Sequence, residues 1–83
     1  MIDELRAQIT NADETILGAV NQRLELVAKL KAYKEEHGID FVDAAREEQL
    51  LAHLKEVNEG PLSDEGLRTF FTELLALVKR ELP

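Results

Sequence analysis

No proline interrupts residues 2–37, and apolar residues recur through them at helical spacing, so this stretch is expected to form one helix around which the remaining chain is fitted. A heptad places Ile2, Ile9, Ile16, Arg23 and Leu30 at one repeat position, and Leu5, Ala12, Ala19, Leu26 and Tyr33 at the other. The single glycine, Gly18, costs only about 1 kcal/mol relative to alanine. At 1.5 Å per residue the helix extends about 54 Å. A compact chain of 83 residues has a radius of gyration of only about 12 Å. A rod this long overhangs its own fold, and its seam calls for a second chain.

Eighty-three residues make one domain, residues 1–83, near the size at which a core buried by a single chain gives little stability to spare. Sharing a core between two copies relieves that shortage. There is no cysteine, which excludes disulfides and thiolate metal sites and fits a reducing compartment. The first residues, Met-Ile-Asp-Glu-Leu-Arg, carry acids where a signal peptide carries positive charge, and no apolar run approaches membrane length. The expectation is a soluble protein of the cytoplasm. A net charge of −7 argues against nucleic acid and membrane surfaces as partners, so any basic site has to be assembled locally.

The first helix is expected to end at Glu35-Glu36-His37-Gly38, where Gly38 supplies a left-handed cap. Asp43 caps a second helix, about 43–58, whose Leu50, Leu51, Leu54 and Val57 recur at three- and four-residue spacing. Asn58-Glu59-Gly60-Pro61 stops it. Ser63 caps a third helix, about 63–82, with Asp64 and Glu65 in its first turn and an apolar stripe of Leu67, Phe70, Phe71, Leu74, Leu77, Val78 and Leu82. No strand pattern appears. The fold class expected is all-α: a three-helix chain with a very long first helix, paired into an intertwined homodimeric bundle.

Chemistry is sought where polar residues interrupt these stripes. Arg23 occupies a seam position, and Lys34, 11 residues on, lies about 20° away in helical phase, so the two share a face. Arg6 is 17 residues before Arg23, about 25 Å along the axis, too far for both to hold one small ligand from the same helix. Two antiparallel copies crossing near residues 14–15 would bring Arg6 of one chain beside Arg23 of the other. On the second helix Glu47 extends the inward stripe as a carboxylate, with Asp43 and Arg46 beside it. Such a set suits a small dicarboxylate that also carries a neutral hydrogen-bonding group. Taken singly, each residue has a structural explanation. Arg23 can fix register or snorkel, Lys34 can meet the helix dipole, Asp43 can serve only as a cap, Glu47 can stabilise a first turn, and Arg46 can pair with a neighbouring acid. Neither His37 nor His53 has metal-ligand spacing, so no metal is expected.

In order and spacing, Leu5-Arg6, Asp13, Asn21-Gln22-Arg23, Lys34, Val42-Asp43-x-x-Arg46-Glu47-Glu48-Gln49 and Gly60-Pro61-Leu62-Ser63 resemble the small all-helical (type II) class of chorismate mutases over nearly the whole chain. The resemblance implies an intertwined dimer of three-helix chains with two active sites and no cofactor. The implied reaction converts chorismate to prephenate, on the way to phenylalanine and tyrosine. Arg23, and Arg6 from the partner chain, would hold the two carboxylates of the substrate. Lys34 would donate to the ether oxygen, Glu47 with the Asp43 region would bind the ring hydroxyl, and Arg46 would support the carboxylates or the cap.

The third helix departs from the family pattern. Where many members carry a serine and, four residues later, a glutamine or glutamate, this chain has Val78 and Leu82, which cannot donate from a side chain. Glu81, one residue off that register, would replace the donor only if burial kept it protonated. Lys79 and Arg80 read as a solvated pair that suits the helix dipole. Three alternatives stay open: a lyase releasing pyruvate from isochorismate, a mutase acting on the amino analogue of chorismate, and a non-catalytic helical dimerisation module.

Overall fold

The computed structural model describes residues 1–83 and contains three helices and no strand: α1 (Ile2–Glu36), α2 (Ala44–Val57) and α3 (Asp64–Glu81). The all-α expectation holds, and each helix ends within one residue or so of the limits read from the sequence. The chain divides into two compact units, Met1–His37 and Gly38–Pro83. No helix is long and apolar enough to cross a membrane.

The first unit is α1 itself. Asp3 and Glu4 in its first turn and Lys34 in its last complement the helix dipole. It ends where His37 folds back: the His37 backbone N–H donates to the Tyr33 carbonyl at 3.1 Å, and Nδ1 lies 2.8 Å from the same oxygen. The imidazole stacks on the Tyr33 ring with centroids 4.0 Å apart. Gly38 then takes φ +67°, the left-handed conformation that stops a helix at least cost to glycine. His37 is therefore occupied in terminating a helix.

None of the 35 residues of α1 is buried. Its seam is open to solvent, with Ile9 60%, Ile16 50%, Leu26 55%, Leu30 49% and Tyr33 55% exposed. A different set is half-buried: Val20, Arg23, Leu24, Val27, Lys31 and Lys34. At about 100° per residue this second stripe lies roughly a quarter-turn around the helix from the heptad seam over the same span. Arg23 is common to both.

In the second unit α2 and α3 form a helical hairpin. Asp43 is the N-cap of α2, accepting from the Arg46 backbone N–H at 3.0 Å. Ser63 is the N-cap of α3, its Oγ accepting from the Gly66 N–H at 3.0 Å. Between them Asn58 clamps the turn, donating through Nδ2 to the Leu62 carbonyl at 2.8 Å and accepting at Oδ1 from the Gly60 N–H at 3.0 Å. Gly60 has φ +82°, which a side chain would make costly. Three ion pairs link the helices in opposite order along the chain: Lys55 with Asp64, Arg68 with Glu48, and Lys79 with Glu47. That order is the mark of an antiparallel pair.

The core of this unit is thin. Leu51, Leu67, Leu74 and Val78 are buried, at 4–7% exposure, and no side chain falls below 2%. Large apolar side chains such as Val57, Leu62 and Phe70 stay about half exposed. A chain with so small an interior has much to gain from covering its apolar surface with a partner.

Candidate active site

Two groups of side chains interrupt the apolar pattern, one in each unit. On α1 the half-buried stripe combines three aliphatic residues, Val20, Leu24 and Val27, with three cations, Arg23, Lys31 and Lys34. The Arg23 Nη1 atom is fully buried and makes no hydrogen bond. An unpaired buried donor on a charged group costs more than the 1–3 kcal/mol typical of a neutral one, so it is kept only where something satisfies it. The matching partner is an anion with planar acceptor geometry, and a carboxylate fits the guanidinium fork. Lys34 is half-buried on the same face, three turns further along. Arg6 is exposed, and the unbroken helix holds it about 25 Å from Arg23 of its own chain. Within one chain the three cations do not converge on one small ligand.

The first turn of α2 gathers the carboxylates. Asp43 is held by its cap hydrogen bond, and its backbone carbonyl accepts from the Glu47 N–H at 3.1 Å. Arg46 uses its backbone in the cap and leaves its side chain exposed. Glu47 is half-buried, and its Oε1 meets the Lys79 Nζ at 2.8 Å. The cap makes a separable prediction. Asp43→Ala should lower stability by about 1 kcal/mol, moving the thermal midpoint by about 4–8 °C, whereas Asp43→Asn keeps the capping oxygen and should melt like the parent. Thermal unfolding of both variants checks this.

On α3, Val78 is buried at 4% exposure, as a member of the hairpin core. Leu82 is the C-cap of the helix, its backbone N–H donating to the Val78 carbonyl at 3.0 Å. Glu81 is exposed in the last turn of the helix. Lys79 is the residue that sequence reasoning misses. Its position reads as solvated, yet it is paired with Glu47. The signal is its place four residues after Leu75, on the flank of the apolar stripe and one residue from buried Val78. No group of three or more His, Asp or Glu side chains is placed to hold a metal ion.

The family described as chorismate mutase type II matches residues 5–81. The bifunctional chorismate mutase/prephenate dehydratase of Stutzerimonas stutzeri is 33% identical over 78 residues, covering 87% of this chain but only 21% of that protein. Two chorismate mutase structures from Thermus thermophilus are each 32% identical to the chain. Form II has a TM-score of 0.92 over 95% of this chain and 90% of its own, and form I has 0.90 over 93% and 96%.

Proposed function

Because the chain belongs to the type II chorismate mutase family, we propose that it catalyses the rearrangement of chorismate to prephenate, as a homodimer acting in the cytoplasm with each active site shared between two subunits. The observation that carries the reading is the half-buried Arg23, whose Nη1 is buried and makes no hydrogen bond, on a face that also holds Lys34. A chain whose only task was to pair its helices would place an aliphatic residue there.

The chemistry asks little of a protein. In this unimolecular Claisen rearrangement the ether carbon–oxygen bond breaks as a carbon–carbon bond forms, and no proton is transferred. The chain's contribution is to bind a flexible dicarboxylate in its folded, near-attack conformer and to meet the charge that develops on the ether oxygen. Arg23, with Arg6 of the partner subunit, clamps the two carboxylates. Lys34 donates to the ether oxygen, where negative charge grows. Glu47 accepts from the ring hydroxyl, and Asp43 and Arg46 hold the start of α2 in place. Neither a nucleophile nor a cofactor is called for.

The test is loss of chorismate absorbance with the purified chain, with chromatography of the product to separate prephenate from a pyruvate-releasing reaction. Lys34→Ala should slow turnover by about 10²–10³-fold, the usual effect of removing one preorganised donor from a developing oxyanion. A wild-type chain with no rate above the uncatalysed background overturns the reading.

A further inference from the structure

The geometry points to Lys79 as the positioning residue for Glu47, an assignment that rests on the mutase reading above. Three ion pairs join α2 to α3, and they are not alike. Lys55–Asp64 is long, at 3.7 Å, with both side chains 65% exposed, and Arg68–Glu48 is short, at 2.8 Å, but 60% and 64% exposed. Lys79–Glu47 is equally short, at 2.8 Å, with Lys79 42% and Glu47 only 29% exposed. It is the least solvated of the three, and its acid belongs to the candidate site.

A free glutamate has three rotatable side-chain torsions, and fixing them on binding costs free energy that weakens recognition. Lys79 fixes them beforehand. Its own backbone is anchored because the preceding residue, Val78, and Leu74 one turn earlier are buried in the hairpin core. The ammonium engages Oε1, and the assignment gives the second carboxylate oxygen, Oε2, the task of accepting from a ligand. An ion-paired carboxylate accepts and does not donate. The pair thereby selects ligands that present a hydroxyl or amino hydrogen at that point and rejects those presenting an acceptor alone. Val78 and Leu82 carry no polar side chain, so the polar contribution of this part of α3 passes through Lys79 and acts on Glu47.

Four variants test the assignment by steady-state kinetics on chorismate and thermal unfolding: Lys79→Met, Lys79→Arg, Glu47→Gln and the double variant Glu47→Gln with Lys79→Met. Lys79→Met should lower kcat/KM by about 10- to 100-fold, the range expected when a binding group loses its position. The midpoint of unfolding should move by no more than about 4 °C, since a partly exposed pair contributes little to stability. Lys79→Arg, which keeps the cation, should recover most of the activity. The double variant should be no slower than Glu47→Gln alone, because Lys79 acts only through that carboxylate. If Lys79→Met turns over as fast as the parent, or lowers activity by the same factor in both backgrounds, the assignment falls while the mutase reading stands. An inert wild-type chain would remove both.

Discussion

Replacing Arg23 with methionine is expected to abolish useful turnover while leaving the chain as stable as before, or more so. Both halves follow from the state of the guanidinium, whose Nη1 is buried without an acceptor. In the free chain that donor is a liability, and exchanging a half-buried cation with an unsatisfied buried donor for an apolar side chain of similar length is commonly neutral or stabilising. With substrate bound, the same group meets a carboxylate in a site with little water. Truncating one partner of such a pair costs about 2–5 kcal/mol, or roughly 30- to several-thousand-fold in kcat/KM. Thermal unfolding and the chorismate assay on the same preparation check both halves. A variant that keeps its rate would show that Arg23 does not hold the substrate. One that loses its rate only because it unfolds would show that the guanidinium is structural.

The second large effect is expected at the seam of α1. Ile16, at the proposed crossing point, is 50% exposed in the single chain, as are most large apolar residues of that seam. If a second copy covers them, Ile16→Asp removes two isoleucine contacts per dimer, each contributing about 1.5–3 kcal/mol by burial. The dimer dissociation constant should rise by roughly 10²- to 10⁴-fold, before any cost of burying the carboxylates. Sedimentation would then find monomer at concentrations where the parent is dimeric, and activity should disappear with the dimer because Arg6 and Arg23 lie about 25 Å apart on one helix. Subunit exchange reads the same geometry from the other side. Arg6→Ala and Arg23→Ala chains, each inactive alone, should regain activity on mixing, since every heterodimer has one site with both arginines intact. Random exchange gives about a quarter of parental activity. No recovery after confirmed exchange, or an active Ile16→Asp monomer, would overturn the shared site.

Most of the helical architecture was legible because its signals are local. Asp43 and Ser63 were readable as caps from residue type and position, and the side chain of each accepts the backbone hydrogen bond that such a cap makes. Gly38 was readable as the stop of α1 because a left-handed residue there suits glycine, and it has φ +67°. The cations of α1 were legible as interruptions of an apolar pattern. What escaped was the pairing of Lys79. Periodicity locates a residue on a helix face, and Lys79 sits beside the stripe of α3, but the identity of its neighbour depends on how α2 lies against α3.

The sequence alone determined where each helix starts and stops, which of its faces are apolar, and that Arg6 and Arg23 cannot meet within one chain, because hydrogen bonding and a fixed rise of 1.5 Å per residue operate over a few positions. Only the tertiary structure decided that Glu47 pairs with Lys79 and that Val78 lies in the hairpin core. Those outcomes depend on which side chains far apart in the chain exclude water from one another, and no spacing along the chain encodes that.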